Sequence, residues 1–132
     1  MNRYILHILL PLLSLVLITS CTDLDNTGQV FLETGDNFQI ANDTHPEGTV
    51  FLIKAGVHSN QKVHNPKNGN RWIGENGAIL NGNNRIEAAF TGTAQNIIIQ
   101  GITIKNYVDS GVHFNSGEDI TINRIRVYNS VG

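Results

Sequence analysis

Cysteine is nearly missing from this 132-residue chain; it occurs once, at Cys21. No internal disulfide can brace the fold, so packing and backbone pairing must hold it. Lys and Arg are missing from Thr22 to Glu47, where Asp23, Asp25, Glu33, Asp36, Asp43 and Glu47 stand without a counter-charge. Beyond the first twenty residues no stretch approaches the run of about 20 apolar residues that spans a membrane. No glycine-rich phosphate loop and no nucleic-acid motif occurs, so neither class of ligand is expected. His45, His58 and His64 lack metal-ligand spacing and read as loop residues, so no metal site is expected. No close Asp-Asp pair offers the two carboxylates that glycoside hydrolysis needs.

What is present begins with an export signal. Arg3 gives a short basic start, Ile5 to Ile18 is almost wholly apolar, and small Thr19 and Ser20 precede Cys21. That order describes a secretory signal over residues 1–20. Leu17-Ile-Thr-Ser-Cys21 also resembles the lipobox of bacterial lipoproteins. The resemblance implies cleavage before Cys21 and lipidation of its sulfur. Acyl chains at about 0.8 kcal/mol per buried CH2 then make attachment to a bacterial envelope membrane effectively permanent. Under the sorting habit of enterobacterial lipoproteins, Thr22 after the cysteine would not hold the protein at the inner membrane, which implies the outer one. Residues 21–35 read as an acidic linker and residues 36–132 as the folded part. From Gly48 onward eight Lys and Arg face five Asp and Glu. This mildly basic balance suits an anionic polymer, and equally an ordinary solvated surface.

The folded part repeats itself. Asn96-Ile-Ile-Ile-Gln-Gly-Ile-Thr-Ile-Lys-Asn106 returns 23 residues later as Asp119-Ile-Thr-Ile-Asn-Arg-Ile-Arg-Val-Tyr-Asn129. Ile97, Ile99, Ile102 and Ile104 share one side if the chain bends near Gly101, and Ile120, Ile122, Ile125 and Val127 match them. Alternating β-branched residues bounded by Asn, Gly and Asp are strand signals. A fixed period with matching apolar positions predicts stacked, equivalent laps. Ala78-Ile-Leu-Asn81 falls under Ile102-Thr-Ile-Lys105 at a spacing of 24, and Ala88-Ala-Phe90 under Val112-His-Phe114 at the same spacing. Each lap is predicted to hold three short strands, roughly 97–99, 102–105 and 112–114, each pairing in parallel with its successor. Asn106 is expected over Asn129 in an amide ladder. The stretch Gln61–Arg71 reads as a loop leaving the stack. Asp36–Ala41 reads either as a loop or as a short helix capped by Asp36 with Phe38 and Ile40 or Ala41 turned inward.

Three stretches carry a family resemblance: His45–His58, Ile73–Gly82 and the repeat itself. Together they resemble the N-terminal part of a right-handed parallel β-helix of the pectin-lyase-like superfamily. The resemblance covers about residues 36–132 and implies an all-β fold of about three coils of 22–24 residues. With nothing after the last strand to cover the stack, the chain is expected to be the first part of a longer helix. A carbohydrate polymer is the implied ligand, and the mildly basic balance suits an anionic one. The superfamily includes lyases, hydrolases, epimerases and inert binders, so fold alone does not choose among them.

A polyuronate lyase must neutralise a carboxylate and remove the neighbouring proton, work for Arg, Lys, His, Tyr or bound calcium. By alternation, Lys105 and Arg126 point outward on neighbouring laps with Tyr128 beside Arg126, and His113 points outward on another strand. These four are the candidate substrate-binding residues. Asp109 and Asp119 are too few for a calcium site here; calcium is left to further laps of a complete protein. No oligomer is expected. The two functional readings are a polymer-binding or polymer-cleaving envelope lipoprotein, with a lyase preferred over a hydrolase, and a non-catalytic binder or spacer on the same scaffold.

Overall fold

The computed structural model describes residues 28–130. Within them the backbone winds into an all-β solenoid of about four turns, 53% strand and 7% helix. The predicted signal, the predicted lipidation position Cys21 and residues 22–27 of the predicted linker lie outside the described residues.

Ten strands and one helix follow in chain order. They are β1 (Gln29–Leu32), α1 (Phe38–Thr44), β2 (Val50–Ile53), β3 (Gly56–Ser59), β4 (Val63–His64), β5 (Arg71–Gly74), β6 (Ala78–Asn81), β7 (Ala88–Gln100), β8 (Thr103–Lys105), β9 (Ser110–Asn123) and β10 (Arg126–Tyr128). Every strand pair is parallel. Three faces result. Face A stacks β1, β2, β5 and the second halves of β7 and β9; face B stacks β3, β6, β8 and β10; face C stacks β4 and the first halves of β7 and β9.

The predicted register holds along the repeat. Ile97 pairs with Ile120, Ile99 with Ile122 and Ile104 with Val127. Ala78-Ile-Leu-Asn81 lies under Ile102-Thr-Ile-Lys105 as expected, with Leu80 below Ile104. Elsewhere the laps vary in length, and four expectations change. The sheet starts earlier than predicted, because Gln29–Leu32, inside the stretch read as linker, pairs with Val50–Ile53. Gln61–Arg71 does not leave the stack: Val63 is buried, β4 pairs with β7, and only residues 65–70 turn without strand before β5. Phe90 lies under Val112 instead of Phe114, a spacing of 22, and a bulge between Gly92 and Thr93 lengthens it to 23 along the repeat. His58 is no loop residue either. It is fully buried on β3, in column with Leu80, Ile104 and Val127, and its Nε2 lies 2.8 Å from the Lys54 carbonyl.

The helix is present but shifted. Asn37, not Asp36, caps it, accepting the Ile40 N–H at 2.9 Å. Phe38 and Ala41 turn inward while Ile40 faces solvent. Phe38 packs near-parallel to Trp72 at 6.1 Å, Trp72 stacks on Phe51 at 4.1 Å, and Phe90 meets Trp72 edge-on at 5.6 Å. This aromatic column closes the lower end of the core. At the upper end the inward residues lose cover: Ile99 is 0% exposed, whereas Ile122, one lap above it, is 49% exposed.

The corners recur by lap. Gly48, Gly69, Asn96 and Asp119 stack at the entry to face A, all at positive φ. Asn60, Asn83, Asn84, Asn106 and Asn129 take the same left-handed conformation after face B. That conformation costs an ordinary L-residue about 1–2 kcal/mol, while Gly adopts it freely and Asn or Asp nearly so. The amide ladder runs along this corner with different partners from those expected. Asn106 Nδ2 donates to Asn81 Oδ1, and Asn83 Nδ2 to Asn60 Oδ1, each at 3.0 Å.

Two outcomes follow. Trp72→Ala removes the centre of the aromatic column and is expected to destabilise by about 3–5 kcal/mol in chemical denaturation; Tyr128→Ala, on the surface, changes the midpoint little. Tyr107 is fully buried and its hydroxyl donates to the Gln61 carbonyl at 2.8 Å, across two laps. Burial pushes its phenol well above the ordinary value. The folded state thus favours the neutral phenol, so this contribution is complete below the unfolded pKa of about 10 and is lost as pH rises above it. Urea midpoints should fall above pH ~10, and Tyr107→Phe should flatten that fall.

Candidate functional site

Outward positions on a parallel stack are fixed by the rung beneath them. On face B the register places Tyr128 directly over Lys105 and Arg126 directly over Thr103. Parallel rungs lie about 4.8 Å apart, so the Lys105 and Tyr128 side chains are neighbours. Three of the four predicted residues therefore share a face. Lys105 is half-buried along its stem, and Arg126 and Tyr128 are exposed. Below them Asn81 continues the Lys105 row and Ile79 the Thr103 row.

His113 does not join them. It lies on face C, over Thr91, which lies over His64. Its Nδ1 is 3.3 Å from the Asp109 carboxylate, and both side chains are about half exposed. A cleft of about 230 Å³ there is lined by Lys62, Glu87, Thr91, Asp109, His113 and Asn115. No carboxylates are paired by sequence spacing. Winding places Glu87 and Asp109 on adjacent laps, where the Asp109 N–H donates to the Glu87 carbonyl at 3.0 Å. Among the described residues no group of three or more His, Cys, Asp or Glu is placed to hold a metal ion.

A larger cleft, about 640 Å³, opens where face A turns into face B. Arg124 and Arg126 line it, with Asn76, Thr103, Gly74 and Gly101. Its floor is backbone, because laps three and four meet at two glycines: a Cβ on Gly74 would lie 2.5 Å from the Gly101 carbonyl oxygen. Arg124 was not singled out from sequence. Its signal is positional: it stands 23 residues after Gly101, where the lap below uses a glycine.

The cations differ in availability. Lys54 donates to Glu75 at 2.6 Å. The hydrogen bond and charge of Glu75 raise the lysine's pKa, while the bond from Lys54, aided by the Ala55 N–H, lowers that of Glu75. This pair is self-satisfied. The other ion pair among the described residues joins Asp109 and His113, so Lys105, Arg124 and Arg126 carry no acidic partner there. Chemically, the A–B edge and face B can hold an anionic group beside an amphipathic aromatic ring; the face C cleft can exchange a proton through a His–carboxylate pair.

Comparison of the chain with family models, curated proteins and solved structures gives no match.

Proposed function

We propose that the chain is a carbohydrate-polymer-binding solenoid, tethered to the outer membrane of a bacterial envelope through a lipid on Cys21. One observation carries the binding reading: Lys105, Arg126 and Tyr128 share one face of a repetitive stack, and among the described residues neither cation has an ion-pair partner. Two unpaired cations attract an anionic chain at range, an attraction that weakens as salt screens it. Tyr128 supplies an apolar ring with a polar tip, the surface a sugar ring can lie against. The resemblance of the repeat to pectin-lyase-like β-helices supports a carbohydrate over other anionic polymers.

A second reading, polymer cleavage by a lyase, is favoured by the face C cleft. There His113, oriented by Asp109, stands near Lys62. A base and a cation in one cleft are the groups that removal of a proton beside a carboxylate uses. In that reading face B holds the polymer and face C does the chemistry. A complete protein with further laps and calcium ligands would fit it.

Lys105→Ala and Arg126→Ala are each expected to weaken binding of the full chain to pectate, alginate or a glycosaminoglycan about 3–10-fold. Raising salt should weaken wild-type binding in the same direction. Unchanged affinity in both variants removes face B from the proposal. The lyase reading is checked by the absorbance of unsaturated uronate ends, and silence on all three polymers removes it without touching the binding reading.

A further inference from the structure

Arg124 sits at the A–B corner with φ 50°, in the left-handed region. Among the described residues every other non-glycine at positive φ is Asn or Asp. Those residues tolerate the region because a short polar side chain bonds locally; arginine lacks that means. One lap below, Gly101 makes the same corner at φ 72°. The winding therefore imposes the conformation, and arginine is a strained occupant of a glycine position. No ion pair among the described residues offsets the strain. The side chain instead borders the 640 Å³ cleft beside Arg126, and among the described residues no Asp or Glu lines that cleft. Two guanidinium groups on one cleft repel each other until an anion lies between them.

We propose that this cleft is a carboxylate site, taking one acidic sugar unit with Arg124 and Arg126 on its carboxylate and Asn76 and Thr103 toward its hydroxyls. Strain kept at a cleft that carries unpaired cations is strain of the kind binding sites retain. The guanidinium fork matches a planar carboxylate with two parallel hydrogen bonds. The volume lies within the range of about 300–1,000 Å³ typical of small-ligand sites. The sugar as carrier rests on the carbohydrate reading above; recognition of the anion does not.

The test uses the full chain in mild detergent, titrated with free glucuronate, glucose and inorganic sulfate and followed by amide NMR, alongside thermal melts. Glucuronate is expected to shift the amides of Gly101, Thr103 and Ile125, while glucose leaves them in place. Arg124→Asn is expected to weaken glucuronate about tenfold or more. It should also raise Tm by about 4 °C or more, because asparagine accepts the corner. Arg124→Lys keeps the charge and the strain but loses the fork, so it should weaken binding without raising Tm. Opposite signs for binding and stability are what a merely structural residue does not give. A lower Tm for Arg124→Asn, or unchanged glucuronate binding in that variant, overturns the proposal. Sulfate binding without glucuronate binding overturns the carboxylate assignment. If free glucuronate binds and no uronate polymer does, the site stands and the polymer-binding function falls.

Discussion

Every feature of this molecule depends on one constraint: each lap must lie in parallel register on the lap beneath it. Parallel pairing leaves no freedom to slide, because a shift of one residue would turn the inward isoleucines to solvent. Inward side chains must then stack on partners of compatible shape, as Phe51 does on Trp72 and Leu80 beneath Ile104. Corners must recur at the same angular position. That requirement selects the backbone before it selects the side chain. It puts Gly48, Gly69, Asn96 and Asp119 in one column, and it forces Arg124 into a conformation better suited to the glycine below it.

The same constraint explains how much the sequence discloses. Where two consecutive laps have equal length, the repeat is visible, and Ile97 over Ile120 or Ile104 over Val127 follows from counting. Where lap length changes, counting fails. Val50 pairs with Arg71 at a spacing of 21, but Arg71 pairs with Ile98 at 27. Gln61–Arg71, just before the long lap, consequently looked like an excursion although it carries β4. Gln29–Leu32 escaped notice because a single four-residue strand has no internal periodicity, and its acidic surroundings argued for a linker.

The candidate site was legible in part for the same reason. Lys105, Arg126 and Tyr128 fall inside the regular repeat, so alternation assigned their side correctly. His113 is exposed on a different strand, as expected, but period-2 counting does not say through what angle the corner at Asn106 turns. The Glu87–Asp109 neighbourhood depends on register across two corners, which sequence spacing alone does not supply. His58 was misread because a histidine suggests surface, whereas its column demands a filled interior and the Lys54 carbonyl gives one ring nitrogen a partner.

Position along the stack also bears on how the site behaves. Arg124, Arg126 and Tyr128 all belong to the uppermost described lap, where Ile122 and Val127 are about half exposed while Ile99 and Ile104 beneath them are fully covered. Lys105 and Thr103, in contrast, sit on a lap packed from both sides. A ligand touching Lys105 and Tyr128, or Thr103 and Arg126, would bridge two adjacent rungs. It gains contacts only when the upper rung is in register, so its binding energy is added to the registry of the top lap. Such a ligand would favour the register that sets Arg126 on Thr103 and Tyr128 on Lys105.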